Sequence, residues 1–312
     1  MGQDLTIVMY HYVRDFARSR YPDIKGLDVA GFRRQLDHLT SRFQIVRMED
    51  VIDAVRGTNE LPPDAALLTF DDGYADHFDV VFPILHDRGI QGSFFPPVAP
   101  VRDGTLLDVN RVHYILASTD DPAPIAATID EAVEASQENA DVQTVADYRA
   151  AWAHPNRFDD AETIYIKRML QTALPVDLRE SVARDLFARF VSVDEATFAA
   201  ELYMTRDQAR HMVRSGMYFG SHGTSHVWLN HADDATRRTE IDGSLDFLAE
   251  LGMPTEDSWV MCYPFGGWDA ELANLLREYH CTVGLTTRVA TAKIGVDDPL
   301  ALPRFDTNDF PQ

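Results

Sequence analysis

The chain reads as an α/β protein built on parallel strands and interrupted once by a block of helices. Three observations carry that reading. Short β-prone apolar runs alternate with amphipathic helical stretches, the pattern of parallel strands joined by helical crossovers. From about residue 106 to 200 the rhythm stops and little strand signal remains. It then resumes to the C-terminus, and several of the strands end in polar, reactive residues.

The elements follow in order. Residues 5–13 (LTIVMYHYV) form a buried first strand. A helix follows over 28–43, with Asp28 as N-cap and Phe32, Leu36 and Leu39 on one face. Next come a short strand and a helix that stops at Gly57, a turn at LPPDA, and the strand ALLTF at 66–70. A helix over 77–89 leads to the strand QGSFFPPV. The block at about 106–200 is rich in Ala, Asp, Glu and Arg at helical spacing, with Pro122, Pro124, Pro155 and Pro175 at its breaks. The second α/β stretch opens on a helix with a Thr205–Gln208 capping box and a stop at Gly216. Strands are expected at 217–222, 258–267, 281–287 and 301–306, with helices over 233–252 and 269–280 between the first three. The whole chain, 1–312, reads as a single domain carrying one helical insertion.

Composition narrows the function. Of 312 residues 45% are hydrophobic, enough for a full core. The net charge of −22 arises from 28 basic and 50 acidic residues with no basic cluster, which argues against a nucleic-acid or anionic-membrane partner. No segment approaches the ~18 consecutive apolar residues of a membrane span. The start, MGQDLTIVMYHYVRD, lacks a secretory pattern. Cys262 and Cys281 form neither a C-x-x-C pair nor a disulfide framework. The expected location is therefore cytoplasmic.

Two strand ends hold the chemistry. ALLTFDDGYADH runs from a buried strand straight into the adjacent carboxylates Asp71 and Asp72. SHGTSH places His222 and His226 four apart in a loop of small residues. Alone, each has a plain explanation: an Asp-Gly turn, or a polar turn before a helix. Together they supply imidazole and carboxylate for a divalent, borderline-soft metal such as zinc, with positions left open for water. The two aspartates then need different tasks. One ligates the ion, and the other takes a proton from the water that the ion acidifies. Gly73 permits the sharp turn that follows.

These residues resemble the polysaccharide deacetylases, the NodB-like carbohydrate esterase family 4. Thr69-Phe70-Asp71-Asp72-Gly73 is similar to the family's first motif, Ser221-His222 through His226 to its second, and Tyr263-Pro264-Phe265-Gly266 to its third. The resemblance covers roughly 1–105 and 201–312. Met9-Tyr10-His11-Tyr12-Val13 and Leu302-Pro303-Arg304 are similar to a subgroup acting on N-acetylglucosamine polymers and surface glycans. The resemblance implies a distorted (β/α)7-type barrel and one divalent metal, usually zinc. It also implies Asp71 as general base, Asp72, His222 and His226 as ligands, and the Phe265 backbone N–H as an oxyanion donor.

Two departures follow. Cys262 stands where many members carry the arginine that orients the base, and Arg304 is the replacement proposed from sequence. Leu302-Pro303-Arg304 replaces a Leu-x-His motif, so the acid for the leaving amine is either His11 or Asp71 returning its proton. Tyr74, Trp228 and Trp268 are offered as sugar-facing aromatics, with core packing as the alternative for the tryptophans; Asp269 is a weaker candidate. The expected activity is metal-dependent N-deacetylation of an N-acetylated sugar or glycan precursor. The alternatives are hydrolysis of a non-sugar amide or ureide on the same fold, and a catalytically idle glycan-binding protein.

Overall fold

A computed structural model describes residues 2–138, 141–155, 159–191 and 194–311. The first and last residues of the expected domain lie outside that set. Contacts divide the chain into two compact units. One comprises Met1–Asp15, Lys25–Thr105 and Ala199–Gln312; the other comprises Phe16–Ile24 and Leu106–Phe198. The second unit is helical, with helices at Asp108–Leu116, Ala123–Ala135, Val145–Trp152, Ala161–Arg168 and Val176–Phe190, and among its described residues it holds no strand. Pro122 and Pro175 stand at two of its helix starts. That the 16–24 segment packs with this unit had no signal in the sequence.

The first unit is a ring of strands. β1 (Gln3–Tyr10), β2 (Ala65–Asp71), β3 (Ser93–Phe95) and β4 (Tyr218–Phe219) pair in parallel in that order. Beyond β4, Ser221 bridges to Met261 in β5 (Val260–Cys262), which pairs with β6 (Val283–Leu285). Leu285 bridges to Leu302, and β7 (Phe305–Asp306) pairs back onto β1. The circuit closes, as a distorted (β/α)7-type barrel requires. Closure removes the open edges that would otherwise expose unpaired backbone.

The seam strands are shorter than expected. Regular strand at the 217–222 and 301–306 stretches shrinks to two residues each, because single bridges at Ser221 and Leu302 take over as the chain bends. The first strand ends at Tyr10, so His11 lies just beyond it. A strand not anticipated, Ala292–Ile294, runs antiparallel to β1 outside the ring. Three residues are too few for a periodicity signal.

Alternation along β1 and β2 separates two apolar layers. Val8, Tyr10, Leu68 and Phe70 pack with helix residues Phe32, Leu36 and Leu39. Leu5, Ile7 and Leu67 pack with Val260, Cys262, Val283, Leu285 and Leu302 from the opposite staves. Because side chains alternate along a strand, Thr69 and Asp71 share the inward face of Leu67. The end caps match their sequence signals. Asp28 accepts from the Ala30 N–H, Thr205 and Gln208 form a capping box, and Gly57 terminates its helix in the left-handed region. The helix expected from 77 begins as a π-turn, His77–Val81, which seats His77 under the barrel's aromatic layer. No helix among the described residues is long and apolar enough to cross a membrane.

Gly73 is the backbone constraint nearest the site. Its φ is +67°, and a Cβ there would lie 2.6 Å from Pro96 Cβ. Gly73→Ala should lower the thermal midpoint, with a conformational cost of about 1–2 kcal/mol before the clash is counted. Differential scanning calorimetry reads the change, and an unaltered midpoint contradicts it.

Candidate metal and catalytic centre

Strand ends converge here, all on the C-terminal side of the ring, where barrels of this type hold their chemistry. Asp71 closes β2 and Asp72 follows it with φ +73°. His226 and Phe265 also have positive φ, +57° and +58°. Such values are uncommon away from glycine and cluster at functional sites. Here they fall on three residues of one constellation.

Asp72 faces the histidines. Its Oδ1 is buried with no hydrogen-bond partner. The Nε2 atoms of His222 and His226 lie 3.4 Å and 3.3 Å from that oxygen. His222 Nδ1 donates to the Cys262 carbonyl at 2.6 Å, which leaves the lone pair on Nε2. Three electron-rich atoms therefore converge on one point. Buried polar atoms are normally satisfied, so this arrangement fits a cation held by Asp72, His222 and His226. Burial pushes the Asp72 carboxyl up, but the adjacent imidazoles of His222 and His226 outweigh it and hold the group well below the usual carboxylate range.

Asp71 faces the other way. Arg304 grips it with both arms, Nη1 to Oδ1 at 2.9 Å and Nη2 to Oδ2 at 2.8 Å. Arg304 is 1% exposed. It also donates from Nε to the Thr286 carbonyl and from Nη1 to Thr69 Oγ1. A two-pronged guanidinium–carboxylate pair fixes orientation as well as charge. Burial raises the Asp71 carboxyl, but Arg304 overrides it and the net direction is down, so Asp71 stays ionised. Arg304 thus lies on Asp71, the aspartate expected to act as base, beside the buried Cys262.

The His222–His226 loop is strapped on two sides. Glu240 Oε2, from the helix Asp234–Leu251, accepts from the N–H groups of Thr224 at 2.7 Å and Ser225 at 2.8 Å. From the chain after β3, Val98 and Ala99 donate to the carbonyls of Gly223 and Thr224. Glu240 was missed from sequence, because nothing in a helix interior signals a partner 16 residues earlier.

His11 follows Tyr10, which pairs with Phe70, so His11 lies beside Asp71 at the strand ends. It is partly exposed, not a core residue. His77 carried no assigned role, yet its Nε2 donates to the His11 carbonyl at 2.8 Å. Burial lowers the His77 imidazole to about 4, so it stays neutral in that role.

The aromatic candidates sit in different surroundings. Tyr74, expected to face sugar, is 0% exposed and its hydroxyl donates to Asp72 Oδ2 at 2.6 Å. Burial, reinforced by the adjacent carboxylate, pushes that phenol well above its ordinary value and keeps it a donor. Trp228 stacks on Phe265 at 4.6 Å and on His231 at 5.3 Å, so its ring is engaged within the protein. Trp268 packs against the cluster around Leu229, Trp259 and Met261. Asp269 caps the helix Ala270–Glu278 through the Leu272 N–H.

Known proteins share the fold and, over one stretch, the sequence pattern. Residues 184–284 match the family model described as polysaccharide deacetylase. That span holds the second and third motifs, whereas the Asp71–Asp72 pair lies outside it. Among solved structures, the chain is similar to the Streptococcus pyogenes deacetylase PplD in complex with acetate. Identity is 15% and the TM-score 0.58, covering 98% of this chain and 93% of that one. It is similar to IcaB from Ammonifex degensii at 18% identity and TM-score 0.53, covering 97% and 91%. It is also similar to the BpsB deacetylase domain from Bordetella bronchiseptica at 16% and 0.55, covering 98% and 96%. No curated protein matches the chain in sequence. Residues 184–284 are thus similar to the polysaccharide deacetylase model, and the solved structures share the fold of the chain.

Arg304→Met leaves Asp71 buried without its partner, which should cost about 3–5 kcal/mol at neutral pH. The sign of the pH effect is set by the carboxyl. In the wild type its value is depressed, so the pair's stabilisation is present above about pH 4 and fades as the pH falls through the folded value. In the variant the buried carboxyl is raised and protonates early. The stability gap should therefore narrow below about pH 4, as read by denaturant titration at several pH values. A gap independent of pH would refute the assignment.

Proposed function

We propose that this protein is a metal-dependent N-deacetylase that removes the acetyl group from an N-acetylated sugar or glycan precursor. One observation carries the reading: an unpartnered buried Asp72 oxygen facing two imidazole Nε2 atoms, next to a second aspartate held by Arg304. The family match and the deacetylase neighbours support the same class of hydrolase. In this reading residues 1–312 are one deacetylase domain with a helical insertion.

Asp72, His222 and His226 are the ligand set, and two imidazoles with one carboxylate suit zinc. When bound, the ion would lower the pKa of a water and offset negative charge on the acetamide oxygen. Asp71, ionised and aimed by Arg304, accepts the proton of the attacking water. The Phe265 N–H, set by its left-handed turn, donates to the developing oxyanion, a contribution of about 3 kcal/mol where such a donor is well placed. Trp228 backs the Phe265 ring and steadies that turn. The C–N bond then breaks to give acetate and an amine that needs a proton. His11 is assigned as the donor, because it is partly exposed and its carbonyl is fixed by His77. The substrate class is N-acetylhexosamine, soluble or lipid-linked, in a cytoplasmic setting. Both cysteines are free and buried, which suits a reducing compartment.

Asp71→Asn should retain one metal per chain by elemental analysis while acetate release falls about 10²–10⁴-fold. Undiminished turnover rules out the base assignment. Failure of the metal-loaded wild type to release acetate from N-acetylhexosamine oligomers favours the non-sugar amide reading. For His11→Asn, kcat should fall about 10²–10⁴-fold, as loss of a general acid requires. An undiminished kcat would return the proton-donor role to Asp71.

A further inference from the structure

We propose that Tyr74 is a positioning residue for the metal centre: its hydroxyl occupies Asp72 Oδ2 and so commits the carboxylate to bind the ion through Oδ1 alone. This inference rests on the metal reading above.

The two oxygens of Asp72 are in different states. Oδ2 accepts the Tyr74 hydroxyl at 2.6 Å, whereas Oδ1 has no hydrogen-bond partner and meets both imidazole Nε2 atoms. A carboxylate free at both oxygens can bind one ion through either or both. Asp72 has that choice removed before any ion arrives. A ligand whose spare oxygen is already bonded needs no reorientation on binding, and such supporting contacts typically govern metal affinity.

The hydroxyl is itself held in place. The Tyr74 ring is stacked on Tyr12 with centroids 4.0 Å apart and on Tyr203 at 6.1 Å, with interplanar angles of 19° and 11°. Its backbone forms an isolated antiparallel bridge to Tyr203, and the Met204 N–H donates to the Gly73 carbonyl at 2.9 Å. The turn Asp72-Gly73-Tyr74 is therefore pinned by the segment at 203–204. Ring and backbone together leave the hydroxyl one position. A sugar-facing role does not fit a side chain that is 0% exposed.

The site thus has a built-in preference. A carboxylate held to one oxygen suits a small ion with few protein ligands, such as zinc, over a larger oxygen-seeking ion that takes carboxylates through both oxygens. Freed by Tyr74→Phe, Asp72 can turn and offer both.

The test is titration of the metal-free protein with zinc and, separately, manganese against a competing chelator, with the thermal midpoint of the metal-free protein as control. For Tyr74→Phe the zinc Kd should rise about ten- to a hundredfold, and the preference for zinc over manganese should shrink. Equal zinc affinity in variant and wild type overturns the proposal, as does a loss that is the same for both ions. A wild type that binds no divalent ion instead overturns the metal reading beneath it. Should the phenylalanine chain not fold, 4-fluorophenylalanine at position 74 keeps the ring and fills the hydroxyl's place without donating. Unchanged zinc affinity there also overturns the proposal.

Discussion

Two adjacent carboxylates buried at one strand end constrain everything around them. Asp71 and Asp72 are 2% and 3% exposed, and neither can remain ionised there without compensation. The chain separates them by forcing Asp72 into the left-handed region, so that the two side chains diverge. Asp71 meets Arg304, carried to it from the far end of the sequence. Asp72 meets His222 and His226, and the spare electron density of all three calls for a cation. Barrel closure follows from the same demand. Arg304 is brought to Asp71 only because Leu302 bridges β6 and the adjoining Phe305 pairs with β1.

This view changes how supporting residues are understood. Tyr74, His77, Glu240 and Thr69 touch no reacting atom in the proposed chemistry. Each instead fills the spare hydrogen-bonding capacity of a group that does, or of its backbone. Preorganisation of this kind is what a hydrolase needs, since a donor or base that must first reorient contributes less to the transition state. The cost is borne in backbone strain at Asp72, His226 and Phe265, and is offset by apolar packing on both sides of β1 and β2.

In the proposed reading, Arg304 supplies from another stave the charge that the family resemblance would place at Cys262. Cys262 belongs to β5 and Arg304 lies just before β7, yet both point into the same interior. A guanidinium is long enough to reach Asp71 from either strand. What matters physically is a cation with two donors on that carboxylate, not the strand that carries it.

Much was legible in the sequence because it depends on near neighbours. Strand–helix alternation, the caps at Asp28, Thr205 and Gly57, the helical block, and the Asp-Asp and His-x-x-x-His pairs are all local patterns. The tertiary structure decided what depends on residues distant in sequence. It converted Tyr74 from a sugar contact to a support for Asp72, because only burial distinguishes the two uses of a tyrosine. It revealed Glu240 and His77, whose partners lie 16 and 66 residues away. It also ended the strands at the seam early and recruited 16–24 to the helical unit. Periodicity reports which face of an element is apolar. It carries no information on which other element will cover that face, and the centre is assembled from those pairings.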